Sequence, residues 1–128
     1  MFENGLRERR ILVIEDEYML ADDLCHELTQ AGVTVLGPVG TVRDAIDLIG
    51  AEEHIDGAIM DVNLRGEMAF PAADELVRRG VPFVFTTGYD SSVIPPRFDH
   101  VVRCEKPANL GKTVQAIAKV VQASLVRG

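Results

Sequence analysis

Five side chains suited to chemistry follow short apolar runs in this chain of 128 residues. Glu15 and Asp16 follow the first run, Asp61 and Thr87 end two later runs, and Lys106 comes after the last. If these runs are parallel strands of one sheet, the five side chains meet at its carboxyl edge, where such sheets bind ligands. Carboxylates that lie so close repel one another, and a divalent cation that prefers oxygen ligands, such as Mg2+, relieves the repulsion. We therefore predict a metal-assisted site in which a carboxylate acts as the nucleophile that accepts a phosphoryl group. An ammonium and a hydroxyl would bind the oxygens of that group.

Short β-rich apolar runs alternate with longer segments of helical spacing, and this alternation is typical of an α/β domain with a parallel sheet. The first run is continuous, as expected for a strand that is covered on both faces. Pro95 and Pro96 disfavour helical geometry in the residues before them, so a helix between the fourth and fifth strands is expected to be short or absent. We predict five strands, at residues 11–14, 33–39, 57–60, 83–86 and 100–103.

Capping residues predict where the helices between these strands begin and end. The first helix is expected to stop at Gly32, and the second to begin after Thr41 as its N-cap. A short third helix begins near Pro71, and the last helix follows the cap Asn109. The third helix is expected to bury Ala73, Leu76 and Val77.

The residues at the strand ends resemble, in type and order, those of the receiver domain of two-component response regulators. The resemblance covers residues 10–125. Residues 11–17, Ile-Leu-Val-Ile-Glu-Asp-Glu, are similar to the family's opening strand and acidic pair, and residues 59–64, Ile-Met-Asp-Val-Asn-Leu, to the segment around its phosphoacceptor. Thr87-Gly88 resembles the family's switch hydroxyl with its small neighbour. Lys106-Pro107 resembles its lysine and the proline that follows, a peptide bond that is often cis.

The resemblance implies a flavodoxin-like, doubly wound sheet of five parallel strands in the order 2-1-3-4-5. It also implies that a histidine kinase or a histidine phosphotransfer protein transfers a phosphoryl group to Asp61, with Thr87 and Lys106 completing the site. The protein would be a single-domain response regulator that assists its own phosphorylation and dephosphorylation, and not an enzyme in the ordinary sense. The implied ligands of Mg2+ are Glu15, Asp16, Asp61 and, through its backbone carbonyl, Asn63.

Two segments depart from the family pattern. Arg103, three residues before Lys106, stands where the family usually has a Tyr or Phe that rotates inward on activation. Because a guanidinium is costly to bury without a partner, we expect Arg103 to stay at the surface and to contribute to an interface with another protein or a second copy. Residues 82–89 resemble the corresponding segment of an alphaproteobacterial subgroup of stand-alone receivers, which has a Phe-Ala-Thr-Gly motif. In this chain Thr86 stands at the alanine position of the motif. Tyr89 is expected to cover the phosphoryl group.

The composition limits the class of protein. A chain of this length is the size of one compact domain, so we expect a single receiver domain at residues 1–128, with its core at 10–125 and no output domain. Twenty acidic against thirteen basic residues give a formal charge of -7, which opposes binding to nucleic acid. The apolar runs are too short to cross a membrane, and a cytoplasmic location is expected. Cys25 and Cys104 are expected to be reduced thiols, and the three histidines to be structural or surface residues.

Two other classes of protein remain open as alternatives. A phosphotransferase of the haloacid dehalogenase type also uses an aspartate nucleophile and Mg2+, but it carries that nucleophile on its first strand and has a second Asp where this chain has Asn63. A nucleotide-binding flavodoxin or Rossmann domain needs a phosphate-binding loop after its first strand, where Glu15, Asp16 and Glu17 would repel phosphate. Within the receiver class, a downstream protein partner, a homodimer and a phosphate sink without output are all open.

Overall fold

The computed structural model of the protein describes residues 5–88, 93–106 and 109–127. Its elements are, in chain order, β1 (Arg10–Ile14), α1 (Tyr18–Gln30), β2 (Thr34–Val39), α2 (Val42–Ala51), β3 (Gly57–Asp61), β4 (Asn63–Leu64), β5 (Glu67–Met68), α3 (Phe70–Arg78), β6 (Phe83–Thr87), a 3-10 turn (Pro96–Phe98), β7 (Val102–Glu105) and α4 (Leu110–Arg127). The main sheet is parallel with the order β2-β1-β3-β6-β7, and β4 and β5 form a separate antiparallel pair. Counted without that pair, the order is the predicted 2-1-3-4-5, and the flavodoxin-like fold is confirmed.

Each face of the main sheet carries its own apolar core, which explains why the central strands are apolar without interruption. Along β1, Leu12 and Ile14 belong to one core, while Ile11 and Val13 belong to the other. Helices α2 and α3 cover the first core, and α1 and α4 cover the second. Every residue of β3 and β6 is buried, so polar groups of these strands approach solvent only at the strand ends.

The predicted helix ends carry the expected contacts. Thr41 Oγ1 accepts a hydrogen bond of 3.0 Å from the backbone N–H of Asp44 at the start of α2. Asn109 Oδ1 accepts one of 3.2 Å from the backbone N–H of Lys112 at the start of α4. Gly32, after α1, has a φ of +86°, a left-handed conformation that glycine adopts without steric cost. These local contacts determine where α2 and α4 begin and where α1 ends.

Two predicted details are wrong. Val77 is half-exposed instead of buried, because α3 already begins at Phe70 and its buried positions are Ala72, Ala73 and Leu76. The last strand of the sheet runs over Val102–Glu105, two residues later than predicted. The reason is that the N–H of Val101 still donates to the carbonyl of Phe98 and so belongs to the preceding turn.

The described residues between β6 and β7 form only the 3-10 turn Pro96–Phe98. The prediction that the fourth helix is short or absent therefore holds for these residues. Phe98 of this turn is buried, with its ring centroid 5.6 Å from that of Phe85. Arg97 donates two hydrogen bonds of 3.0 Å to Asp74 of α3, and its guanidinium lies 4.6 Å from the centre of the Phe98 ring. Aromatic packing and one bidentate ion pair therefore attach this segment to α3.

The stretch between β3 and α3 folds into the hairpin of β4 and β5. Arg65 and Gly66 connect the two strands with φ values of 56° and 87°, and two successive positive values are the signature of a tight hairpin turn. The turn at these residues was predicted, whereas the two-residue strands beside it were not. The side chain of Leu64 is buried and attaches the hairpin to the core covered by α2 and α3.

No helix among the described residues is long and apolar enough to cross a membrane. Cys25 and Cys104 are not joined in a disulfide, as expected. Burial raises the pKa of both thiols, which keeps them protonated and less reactive.

Candidate functional site

A cleft of about 500 Å3 lies at the carboxyl ends of the central strands. Glu15 is the one predicted site residue that does not line this cleft, and it lies behind Lys106, which it contacts. The sheet thus brings together groups that are far apart along the chain. The predicted site residues that line the cleft are Asp16, Asp61, Asn63, Thr87 and Lys106.

Lys106 joins two of the carboxylates. Its Nζ lies 2.6 Å from Asp61 Oδ2 and 3.0 Å from Glu15 Oε1. The backbone N–H of Lys106 donates a hydrogen bond of 2.7 Å to the carbonyl of Thr87, so the pairing of β6 with β7 extends to this residue and determines where its side chain begins. The ammonium is therefore held at the carboxylates by the sheet as well as by their charge.

The three carboxylates of the site face a single ammonium. Oxygen atoms of Glu15, Asp16 and Asp61 lie within 4.8 Å of one another, and Glu15 and Asp61 are only 6% and 5% exposed. With Lys106 counted, the cluster keeps an excess of negative charge in a place that water reaches poorly. An all-oxygen donor set of this kind fits a hard divalent cation such as Mg2+.

The carboxylates are oriented by backbone groups as well as by Lys106. Glu15 Oε2 accepts a hydrogen bond of 3.0 Å from the N–H of Glu17, and Asp61 Oδ1 accepts one of 3.1 Å from the N–H of Asn63. Asp16 Oδ2 accepts one of 3.1 Å from the N–H of Arg65, which belongs to the hairpin turn. Each acid thus keeps a defined orientation, and Asp16 points its carboxylate toward the hairpin side of the cleft.

Burial dominates the electrostatics of the site. The pKa of Glu15 is raised to about 7, first because burial disfavours its charged form and further because Asp61 lies nearby. The pKa of Asp61 is also raised by burial, although hydrogen bonds from Lys106 and Asn63 oppose the shift. Burial alone would lower the pKa of Lys106, but its hydrogen bonds to Asp61 and Glu15 outweigh burial, and its pKa is raised. A bound cation would reduce the cost of keeping these acids ionised.

Asn63 and Thr87 lie on two sides of Asp61. Asn63 is exposed, and its side-chain oxygen accepts a hydrogen bond of 2.7 Å from the N–H of Gly66, so the side chain closes the hairpin turn. The side-chain oxygen of Asn63 is therefore engaged within the turn. Thr87 is the last residue of β6 and is 3% exposed.

Sequence reasoning missed three residues of the cleft wall. They are Arg65, Met68 and Val93, and the first two reach the cleft through the hairpin. The Arg65-Gly66 turn was recognised as a turn, but no pattern in the sequence indicated that it folds back over the carboxylates. Pro107 and Tyr89, to which a cis bond and a covering role were assigned, lie outside the described residues.

The other residues singled out in the sequence lie away from the cleft lining. Arg103 is exposed on β7, as predicted, with its Nη2 3.6 Å from Asp99 Oδ1. Two histidines make local polar contacts, His26 with Gln30 and His54 with Asp56. None of the histidines belongs to the carboxylate cluster.

No family model matches this chain. A search of curated proteins found a relative that is similar to part of it. The transcriptional regulatory protein PdtaR of Mycobacterium tuberculosis is 35% identical over 83 residues. That match covers 63% of this chain, and the chain corresponds to only 40% of the length of PdtaR.

Solved structures resemble almost the whole chain. The solution structure of SdrG from Sphingomonas melonis is 34% identical, covers 97% of this chain and 99% of SdrG, and has a TM-score of 0.70. The BeF3-activated conformation of SdrG from Pseudomonas melonis is 36% identical over 91% of this chain and 95% of that chain, with a TM-score of 0.68. A CheY-like response regulator receiver domain protein from Methanospirillum hungatei shares the fold with a TM-score of 0.83 at 21% identity, over 94% of this chain and 99% of that chain.

These findings separate the receiver family from its alternatives. The haloacid dehalogenase type is not favoured, because Asp61 ends the third strand of the sheet and is followed two residues later by Asn63. The acids after β1 leave no phosphate-binding loop of the Rossmann kind. Since the sheet has the receiver order and the likeness to SdrG spans nearly all of both chains, this chain belongs to the receiver domains of response regulators.

Proposed function

We propose that this receiver accepts a phosphoryl group on Asp61, with Mg2+ as cofactor, and signals through contact with another protein. The observation that carries the proposal is the ammonium of Lys106, held between Asp61 and Glu15 at one wall of an open cleft. Among the described residues, Glu15, Asp16 and Asp61 form the one group of acids close enough to share a metal ion. The site thus combines a nucleophile, a place for a cation and a fixed positive charge.

The transfer reaction that we propose requires little covalent chemistry from the protein. A carboxylate oxygen of Asp61 attacks the phosphorus of a phosphohistidine, and the P–N bond breaks as the new P–O bond forms. The imidazole leaves with the electron pair of that bond and takes up a proton. The product is an acyl phosphate on Asp61, and positioning and charge stabilisation supply the rate.

Each side chain of the site has a part in this proposal. Bound Mg2+ would neutralise charge on the phosphoryl oxygens, and Asp16 and Asp61 would hold it, with Glu15 and the Asn63 carbonyl completing the donor set. Lys106 already lies at hydrogen-bond distance from Asp61 and would also bind an oxygen of the new phosphoryl group. The hydroxyl of Thr87 would donate a hydrogen bond from the β6 side.

The likeness to SdrG supports the proposal, because SdrG has a BeF3-activated conformation. Beryllofluoride has the tetrahedral shape and the charge of a phosphoryl group on a carboxylate. The phosphodonor that we propose is a sensor histidine kinase or a histidine phosphotransfer protein. The assignment to the subgroup with a Phe-Ala-Thr-Gly motif remains a prediction, since Thr86 stands at the alanine position.

The experiment is incubation of the protein with acetyl phosphate or phosphoramidate and Mg2+, followed by mass spectrometry of the intact chain. We expect a mass increase of one phosphoryl group, which hydroxylamine removes because it cleaves acyl phosphates. Asp61→Asn should prevent the increase. Asp56→Asn is the matched control, because it makes the same change at the opposite end of β3, and it should label like the wild type. Labelling that persists in Asp61→Asn would refute the assignment.

The output that we propose is a protein contact, because a net charge of -7 opposes the approach of DNA. The surface that we propose for this contact is the face of β7 and α4 together with the segment around the 3-10 turn. Binding of the phosphorylated protein to DNA with sequence preference, measured at physiological salt, would contradict this part of the proposal. Absence of any partner specific for the phosphorylated form would instead favour a phosphate sink.

A further inference from the structure

In the described part of the chain, two cationic residues line the cleft, Lys106 and Arg65. Lys106 is engaged, since its Nζ lies 2.6 Å from Asp61 Oδ2 and 3.0 Å from Glu15 Oε1. Arg65 is exposed, and none of the ion pairs between described residues involves its guanidinium. Arg65 is therefore the cation of the cleft wall that remains available to a ligand.

The backbone of Arg65 is held beside the carboxylates. Its N–H donates a hydrogen bond of 3.1 Å to Asp16 Oδ2. The pairing of β4 with β5 and the buried side chain of Leu64 attach the hairpin to the core. The side chain of Arg65 consequently begins at the edge of the carboxylate cluster, and its length is sufficient to reach the mouth of the cleft.

Arginine is an unusual residue type for this position of the turn. The φ of Arg65 is 56°, in the left-handed region where glycine, asparagine and aspartate are favoured. An asparagine there would suit the backbone better, and it would donate the same N–H to Asp16. Natural sequences accept local conflicts of this kind mainly at functional sites. The residue type therefore indicates a role for the guanidinium beyond the turn itself.

The charge balance of the site favours a further cation when a phosphodonor enters. With Mg2+ bound, the ion and Lys106 would together balance the three carboxylates of Glu15, Asp16 and Asp61. The phosphoryl group of a donor adds further negative charge in a cleft that these acids line or adjoin. A guanidinium at the mouth attracts such a group, and its planar fork matches two phosphoryl oxygens at once.

We propose that Arg65 binds the phosphoryl group of the incoming donor at the mouth of the cleft and directs it toward Asp61. The inference rests on the proposed function and deepens it, because it assigns the residue that selects donors by their charge. Arg65 acts on the donor as it enters, whereas Lys106 acts beside Asp61. The contribution of Arg65 should therefore increase with the negative charge of the donor.

The test is the rate at which Arg65→Asn is labelled on Asp61, measured at saturating Mg2+ with two donors that differ in charge. Near neutral pH acetyl phosphate is a dianion, whereas phosphoramidate carries a single net negative charge. Arg65→Asn should slow labelling by acetyl phosphate by about three- to tenfold and labelling by phosphoramidate by less. Asparagine suits the left-handed position, so a damaged turn would not be the cause. Arg65→Lys, which keeps the charge without the planar fork, should recover part of the rate.

Salt dependence and Mg2+ affinity distinguish this role from a structural one. Salt screens charges at the mouth of the cleft, so an increase from about 0.05 M to about 0.5 M should slow the wild type more than Arg65→Asn. In calorimetric titration, Arg65→Asn should bind Mg2+ as tightly as the wild type or more tightly, because a guanidinium repels the ion. A damaged turn would instead release Asp16 and weaken Mg2+ binding. Lys119→Gln, which makes the same change in net charge on the exposed side of α4, should behave like the wild type throughout.

Four results would each overturn the inference while leaving Asp61 as the phosphoacceptor. They are labelling of Arg65→Asn by acetyl phosphate at the wild-type rate, equal slowing with both donors, weaker Mg2+ binding in Arg65→Asn, and slower labelling of Lys119→Gln. A wild type that neither donor labels would refute the proposed function, and the inference with it.

Discussion

Two clusters of charged side chains lie at opposite ends of β1 and β3, and they differ in burial and in charge balance. At the carboxyl ends, Glu15 and Asp61 are almost fully buried, Asp16 lies beside them, and Lys106 supplies one positive charge for the three acids. The excess negative charge opposes folding, since ionised groups are costly to bury without equal compensation.

At the amino ends, the charges balance. Arg10 forms an ion pair with Glu52, and its backbone N–H donates a hydrogen bond of 2.8 Å to Asp56 Oδ2. His54 Nε2 and Arg9 Nη1 lie 3.0 Å and 4.0 Å from Asp56 Oδ1. The side chains of Arg10 and Glu52 are 35% and 29% exposed, so water screens their attraction. Asp56 is only 10% exposed, but Arg9 and the backbone N–H of Arg10 compensate its charge. This cluster attaches the loop before β3 to β1.

Charge balance distinguishes a site from a structural contact when both consist of ion pairs. A cluster whose charges balance contributes modestly to stability and needs nothing else. A buried cluster with an excess of negative charge is destabilising by itself, and a bound cation would offset that cost. Natural sequences accept such local conflicts mainly at functional sites.

Substitutions in the two clusters are expected to differ most in their effect on the rate of phosphorylation. Lys106→Met removes the fixed positive charge beside Asp61 and should slow labelling by acetyl phosphate by about 100-fold. Arg10→Met removes a cation of the other cluster and should change the rate by less than about twofold, because it lies at the opposite strand ends. The rates are measured by mass spectrometry of samples quenched in acid. Equal slowing in both variants would mean that lost stability, and not lost charge at the site, causes the effect.

A smaller difference is expected between two acids of the same site. Asp16 lines the cleft, whereas both oxygens of Glu15 are engaged, by Lys106 and by the N–H of Glu17. Asp16→Asn should therefore weaken Mg2+ binding by about tenfold or more, and Glu15→Gln by less. Calorimetric titration with Mg2+ measures both, with Asp56→Asn as the control that should bind like the wild type. Unchanged affinity in Asp16→Asn would remove Asp16 from the metal site.

Replacing Asp by Asn should change the free energy of unfolding in opposite directions at Asp61 and at Asp56. Without Mg2+, Asp61→Asn removes an acid whose raised pKa shows that burial disfavours its charge, and it should raise the free energy of unfolding by about 1 kcal/mol. Asp56→Asn removes the balancing charge of the arginine cluster and should lower the free energy of unfolding by about 1 kcal/mol. Urea denaturation in EDTA measures both. A loss of stability in both variants would contradict the contrast.

The smallest effect is expected in the pH dependence of stability. The pKa of Glu15 rises from 4.5 to about 7 on folding, so the folded state binds its proton more tightly than the unfolded state between these values. Stability from this group is present at pH 4.5 and below and is lost as the pH rises to about 7. In EDTA, the wild type should lose stability relative to Glu15→Gln over this window, because Gln does not titrate. Parallel curves for the two proteins would show that Glu15 does not titrate in this way.

Most elements of the fold and the candidate residues of the site could be predicted from the sequence, because local patterns indicate them. Continuous apolar runs mark strands that are covered on both faces, and caps such as Thr41 and Asn109 act within one helical turn. The position of Asp61 at the end of such a run made it a candidate, and the resemblance to the receiver family identified it as the expected phosphoacceptor. Strand order followed from the resemblance to the receiver family, and the structure confirms it.

How these residues meet could not be predicted from local patterns. Lys106 bonds to Asp61 and Glu15 across 45 and 91 positions of sequence, and no local pattern encodes such distances. The hairpin that brings the Arg65 N–H to Asp16, the exposure of Val77 and the later start of β7 depend on which surfaces the folded chain covers. Charge balance and burial are likewise properties of the assembled sheet, because they arise from neighbours that are remote in sequence. That is why the sequence can name the acids, but only the fold shows that one ammonium contacts two of the three.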